Sequence, residues 1–333
     1  MRGVRGVRAV FAVLVVLGGL SVRVETHDPV TNVTYAREVR AILQARCVSC
    51  HWHGGPAPMP LTSYEEVRPW ARAIKDQVLA RRMPKWSAAH GYGAFANDPS
   101  LTPAEVRLIA AWTDGGQPRG AAGRRDVPMA PSRPRLGPGA VRLEVPTGAA
   151  GATVRGASRW IAGWDFEPGD PLVTSATFTS GDGAAIGTWV AGDAAVHLPA
   201  GAAIRVVSPV RVDVQRRART DYEKPAAAKP SVLRVLPRAA AQRRVWVERT
   251  ACGAPRTGRP ADLLAVRPIL ADGASARVWL ERPGAPQAIL GWFRDVESLY
   301  QRTFWLARAA ELTPESRIAA DAACALELTL VSR

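Results

Sequence analysis

Two thiols and an imidazole stand at C-x-x-C-H spacing in Cys47, Cys50 and His51. Cysteines at this spacing add across two vinyl groups of one porphyrin as thioethers, and the adjacent histidine falls under the iron as its proximal ligand. The motif predicts one covalent haem c. Other chemistries use the same residue types. Zinc needs a second ligand pair at short range, and the next cysteine is Cys252, with none beside it. A thioredoxin-like redox pair opens a helix after a buried strand, whereas Cys47 follows the amphipathic run Tyr35, Val39, Ile42 and Leu43. A structural disulfide between Cys47 and Cys50 is the remaining alternative, and the export signal described below favours haem.

Four residues compete to be the sixth ligand of the iron: Met59, Met83, His53 and His90. Met83 is expected to end the middle helix, and Pro84 after it biases the backbone towards extended geometry, which turns the thioether out of the helix. Met59 lies only eight residues past His51 in a Gly/Pro loop. An extended chain spans about 3.3–3.6 Å per residue, so Met59 would have to wrap the haem edge at once. Met83 is the choice and Met59 the alternative, with His53 and His90 expected as solvated imidazoles. His/Met ligation raises a haem's potential.

The elements that must position these groups are helical. Ser63 and Glu66 form a capping box ahead of a run in which Trp70, Ile74 and Val78 share a face, with Pro69 interrupting its first turn. Thr102, Pro103 and Glu105 open a further helix carrying Val106, Ile109, Ala110 and Trp112, and Gly115 with Gly116 stops it. Three helices around one haem make a small all-α cytochrome c domain, expected over 28–120.

Ahead of it, Arg2, Arg5 and Arg8 precede an apolar stretch from Ala9 to Leu20, the pattern of a secretory signal, with 1–24 as signal peptide or N-terminal anchor. No clean cleavage site follows, so membrane association through an uncleaved N-terminus stays open. The chain is expected to be periplasmic or otherwise extracytoplasmic, where haem c is attached and disulfides persist. There Cys252 and Cys324 are a disulfide candidate, in segments that look like strands. The formal charge of +15 comes mainly from arginines scattered along 333 residues, without a basic run or nucleic-acid motif. That pattern argues against a nucleic-acid partner and allows docking to an acidic redox protein.

Composition changes after Gly120. A Pro-, Gly- and Arg-rich linker is expected over 121–145, and beyond it short Val- and Trp-containing runs broken by Gly, Pro and Asp predict an all-β region. Its tryptophans, at positions 160, 164, 189, 246, 279, 292 and 305, are expected in the core. Asp295 and Glu297 look like solvated positions alternating along a strand. No nucleophile elbow, phosphate loop or His-Glu-x-x-His motif is present, so no catalytic residue is assigned.

The stretch from Val33 to Pro118, containing ARCVSCHWHGG, LARRMPKW and LTPAEVRLIAAWTDGGQP, resembles the cytochrome c domain that many bacteria place ahead of a copper type II ascorbate-dependent monooxygenase-like region. The resemblance implies His51 as proximal and Met83 as distal ligand. WIAGWDFEPGDPLVTSATF, DLLAVRPILADG and ILGWFRDVESLYQRTFWL are similar, more weakly, to that family's two jelly-roll-like sandwiches, related to peptidylglycine hydroxylating monooxygenase. This implies a multidomain α + β chain with sandwiches over 146–240 and 241–333. Active members bind one copper through three histidines and another through two histidines and a methionine. Here Val173-Thr174-Ser175 and Ile269-Leu270-Ala271 stand at the matching positions, and after Gly120 the sole histidine is His197 and the sole methionine Met129. His197, at a strand end, has no second imidazole near it. No copper is expected. The expected function is electron transfer by an exported monohaem c-type cytochrome with a redox partner, the copper-free β module docking a partner or ligand. A haem-fed copper monooxygenase and an extracytoplasmic scaffold are the alternatives.

Overall fold

The computed structural model describes residues 32–121, 127–131, 135–147, 151–156, 158–221, 223, 227–254 and 259–333. The arginine-flanked apolar stretch of the expected export signal lies outside the described residues. Among the described residues no helix is long and apolar enough to cross a membrane.

The first amphipathic run winds as a π-helical turn (Tyr35–Val39) and then α1 (Arg40–Arg46), and Tyr35, Val39, Ile42 and Leu43 are all buried. The middle run forms in pieces: α2 (Tyr64–Val67), a 3-10 turn (Arg68–Trp70) and α3 (Ala71–Leu79). Pro69, lacking an amide hydrogen, sits in the turn between the two helices. In α4 (Pro103–Asp114) the capping box is complete. The Glu105 amide donates to Thr102 Oγ1 at 3.2 Å, and the Thr102 amide donates to the Glu105 carboxylate at 2.6 Å. At α2 it is half closed. Ser63 Oγ accepts the Glu66 amide at 3.3 Å, but the Glu66 carboxylate turns to the Thr62 amide and hydroxyl. These helices pack around Leu43, Val67, Ile109 and Trp112.

Sixteen strands follow among the described residues. The first group is β1 (Val141–Val145), β2 (Gly151–Val154), β3 (Arg159–Glu167), β4 (Val173–Thr179), β5 (Ala185–Val190), β6 (Val196–His197), β7 (Ala202–Val206), β8 (Val210–Arg216) and β9 (Ser231–Arg238). The second is β10 (Arg243–Ala251), β11 (Ala261–Ile269), β12 (Ala276–Arg282), β13 (Ala285–Phe293), β14 (Phe304–Leu312), β15 (Arg317–Ala320) and β16 (Ala325–Ser332). A four-stranded sheet, β2-β8-β4-β5, shares one apolar core with β1-β9-β3-β7, filled by Ile161, Phe166, Phe178 and Trp189. The three-stranded sheet β13-β12-β15 packs likewise on β10-β16-β11-β14 through Leu263, Val278, Leu280 and Phe304. β7 and β10 pair in parallel, Ala202 opposite Arg243, which fuses the two larger sheets into one of nine strands. Two β-sandwiches therefore share a continuous sheet.

Several expectations change. Val141–Val145 is a strand, paired with β9 from Val141↔Val235 to Val145↔Ser231, so it lies in the sheet although it fell within the stretch expected as linker. Only Trp164 and Trp189 of the seven tryptophans are deeply buried, at 3% and 2% exposure, and the others are half-buried. Asp295 and Glu297 are not on a strand: β13 ends at Phe293, Asp295 takes φ 46°, and Glu297 directly precedes the 3-10 turn Ser298–Tyr300. Cys252 and Cys324 sit just beyond the ends of paired strands, next to the Ala251↔Ala325 pair, and are joined as a disulfide with Cα atoms 5.4 Å apart.

The helical segment is stitched to the second sandwich. Ala89 donates its amide to the Trp292 carbonyl and Arg294 to that of Ser87, while Ala96 donates to Trp305 and Ala307 to Ala94. The stretch from Ser87 to Asn97 thus covers exposed edges of β13 and β14, edges that would otherwise offer unpaired backbone groups. Trp86 and Phe95 add their rings to Phe304, with centroids 4.7 and 5.3 Å away.

Candidate functional site

α1 does not stop cleanly before the C-x-x-C-H motif. The Cys47 and Val48 amides donate to Leu43, and the Cys50 and His51 amides donate to the Cys47 carbonyl at 3.0 and 2.9 Å. The motif is therefore wound as a further turn, and spacings of three and four residues put Cys47, Cys50 and His51 on one side of it. The chain then doubles back: Ala57 donates to the Cys50 carbonyl and Leu61 to that of His51. Gly55 permits this, because a Cβ there would lie 2.4 Å from the Cys50 carbonyl oxygen.

His51 is 8% exposed. Its Nδ1 lies 2.9 Å from the Met59 carbonyl oxygen, an acceptor, so Nδ1 carries the proton and donates. This fixes the tautomer and leaves Nε2, which has no hydrogen-bond partner among the described residues, unprotonated with its lone pair unused. Burial holds the imidazole pKa below its ordinary value against the smaller opposing effect of that hydrogen bond. A neutral imidazole oriented by a backbone carbonyl is the form that ligates a metal.

Neither Cys47 nor Cys50 is in a disulfide. Burial, reinforced by Cys50, pushes the Cys47 thiol up to about 12 despite Arg46 nearby. A thiol that ionises only there is a poor thiolate nucleophile. Cys50 abuts the first sandwich: a Cβ on Gly192, which has φ 91°, would fall 2.8 Å from Cys50 Sγ.

α3 ends at Leu79, four residues before Met83, and not at Met83 as expected. Arg81 takes the left-handed φ of 54°, and the Arg82 amide reaches back to the Gln77 carbonyl at 2.9 Å, a Schellman-type stop. Met83, half-buried, then lines a cavity of about 940 Å³ between the helical segment and the second sandwich. Trp86, Leu101, Val106, Tyr300 and Phe304 share its wall. Cys47, Cys50 and His51 are not among its lining residues. Cys50 is nonetheless near enough to Tyr300 to help raise its phenol pKa, an effect led by burial and opposed by Arg217.

The other candidates separate. Met59 stays beside His51 through the carbonyl contact. His53 is exposed, with Nε2 2.5 Å from a Glu66 carboxylate oxygen. His90 is exposed on the cavity rim. His197 is exposed on β6, opposite Gly163.

No family model matches the chain, and no curated protein matches it. Among solved structures, the major capsid protein P2 from Bacteriophage PM2 is similar at a TM-score of 0.31 and 10% identity, over 58% of this chain and 97% of that one.

Gly192, Tyr300 and Arg302 are site-side residues that sequence reasoning missed. They come from the β module, at least 141 residues beyond His51, and nothing in their local sequence marks them. Only the pairing of sheets and the stitching of Ser87–Asn97 bring them to the motif.

Proposed function

We propose that the chain is an exported monohaem c-type cytochrome that transfers electrons, with a copper-free β-sandwich module through which it docks a partner or ligand. His51 carries this reading: a buried, neutral imidazole, oriented by the Met59 carbonyl and wound in one turn with two cysteines that are not bonded to each other. The donor set fits haem c. A thioether carries no charge, which suits a position where burial pushes a thiol up to about 12. A redox dithiol calls for the opposite shift. The absence of a Cβ at Gly192 lets its loop approach Cys50 Sγ, and the cavity that Met83 lines, about 940 Å³, falls within the usual range of roughly 300–1,000 Å³ for small-molecule clefts.

In this reading Cys47 and Cys50 would hold the group against loss, and His51 Nε2 and the Met83 thioether would ligate its iron. Met59 already serves His51 through its backbone carbonyl at 2.9 Å from Nδ1, which favours Met83 for the second ligand role. When bound, haem c would supply a one-electron ferric/ferrous couple whose potential a thioether ligand raises. Trp86, Leu101, Val106 and Phe304 give the cavity wall that Met83 shares an apolar character. In the β module, Thr174 and Ser175 direct their hydroxyls to Gln215, at 3.3 and 3.1 Å, and Met129 is buried in the helical core. These contacts support a module without a copper site.

The test is the spectrum of protein exported with its haem-attachment machinery. Haem that survives denaturation, in one equivalent, with a Met-to-iron charge-transfer band is expected. Met83→Ala should abolish that band and Met59→Ala should retain it. A colourless product, or stoichiometric copper, overturns the proposal.

A further inference from the structure

Resting on the haem reading, we infer that Arg302 is a positioning residue through which the β module holds both ends of the haem site. Arg302 lies between the 3-10 turn Ser298–Tyr300 and β14, and is 6% exposed. Its Nη1 pairs with Asp193 at 2.9 Å and its Nη2 donates to the Ala191 carbonyl at 3.0 Å. These two partners flank Gly192, where an added Cβ would fall 2.8 Å from Cys50 Sγ. The same guanidinium stands 5.9 Å from the centre of the Trp86 ring. Trp86 follows Met83 by three residues and shares the cavity wall with it. One buried cation therefore touches the loop against the attachment cysteine and the loop that carries the axial methionine.

The chemistry of the group suits placement better than stability. A guanidinium is a rigid planar fork that fixes two acceptors in one geometry, which a lysine does not do. Burying it carries a desolvation penalty, and an apolar residue of similar volume is often as stable or more so. Here the penalty is only partly offset, because Arg302 Nε is buried without a hydrogen-bond partner among the described residues. A charge retained in this setting is explained by what it orients: the loop of Ala191–Asp193 on one side, Trp86 on the other. Met83 should then owe its position to the second sandwich as much as to α3.

Arg302→Gln, Arg302→Lys and Trp86→Leu test this in the full-length exported protein, with covalent haem content, the Met-to-iron band and the midpoint potential as readouts. Arg302→Gln is expected to keep full haem content while losing most of the band and showing a lower potential, with Arg302→Lys intermediate. Full haem with an unchanged band and potential in Arg302→Gln overturns the inference and leaves the haem reading intact. Should Arg302→Gln fail to accumulate, Trp86→Leu, which preserves the pair with Asp193, is expected to lose the band. An unchanged band there overturns the inference equally. Wild-type protein without covalent haem overturns both.

Discussion

The helical segment and the β module close their cores by different means. In the β module, Phe166, Phe178 and Trp189 meet at 5.3–5.6 Å and Phe293 and Phe304 at 4.5 Å, and the Cys252–Cys324 disulfide ties two of its strands. The helical core around Leu43, Ile109 and Trp112 ends instead at a turn bearing an imidazole with an unused lone pair on Nε2 and two cysteines. The difference teaches that the β module has what it needs in its own side chains, whereas the helical segment, on the proposed haem reading, would be completed by an added group. Withholding that group separates the two. Cys47→Ala with Cys50→Ala should strip amide protection from α1 to α3 while the strands keep theirs, as read by hydrogen-exchange mass spectrometry. Ser87–Asn97 should remain protected with β13 and β14, to which it is bonded. Uniform protection, or uniform loss, would erase the distinction.

The next effect belongs to the β module alone. Cys252 and Cys324 are 72 residues apart, and removing a cross-link over a loop of that size lowers stability by about 4 kcal/mol on the chain-entropy account. Denaturant unfolding of Cys252→Ala with Cys324→Ala should show that loss in the β signal, with the haem spectrum unchanged at low denaturant. A parallel change in the haem signal would mean that the two regions unfold as one.

Where the two regions touch, acid should loosen them. Arg217 donates through Nε to the Pro56 carbonyl in the loop beside the motif, and through Nη1 and Nη2 to Glu223. These bonds, helped by the Thr220 amide and hydroxyl, bring the Glu223 carboxyl down to about 2 against the opposing effect of burial. An unfolded glutamate titrates near 4.3, so the folded state binds its proton less readily. The resulting stability is present above that pH and is lost as pH falls towards 2, on the order of 2 kcal/mol after partial screening. Glu223→Gln should flatten the pH dependence of unfolding in this window. A profile identical to wild type would remove Arg217 and Glu223 as the clamp.

Local chemistry made the helices and the motif legible. Pro69 breaks the middle helix, Thr102 and Glu105 begin the last, and Gly115 ends it, because each acts on backbone groups within four residues. The C-x-x-C-H turn is local for the same reason. Periodicity also marks the β region, though not that β1 begins at Val141, since a strand exposed at alternate positions beside Pro and Gly looks like linker until β9 pairs with it. Two features were out of reach. The stop of α3 at Leu79 depends on Arg81 accepting a left-handed conformation, which its side chain does not advertise. The contact of Gly192 and Arg302 with the site depends on β7 pairing with β10 and on Ser87–Asn97 crossing to the second sandwich.

The smallest effect compares two caps with the same sequence signature. Thr102 and Glu105 exchange both bonds, so Thr102→Ala should destabilise the helical segment by about 1 kcal/mol. Ser63 and Glu66 exchange only one, at 3.3 Å, because the Glu66 carboxylate is engaged by Thr62 and His53. Ser63→Ala should therefore fall at the low end, about 0.5 kcal/mol, and Thr62→Val should exceed it by removing one of the bonds that hold Glu66. Thermal unfolding followed at the haem band ranks the three variants. Equal losses for Thr102→Ala and Ser63→Ala would mean that the Glu66 carboxylate returns to the Ser63 amide in solution, and that its bonds to Thr62 are not what hold the start of α2.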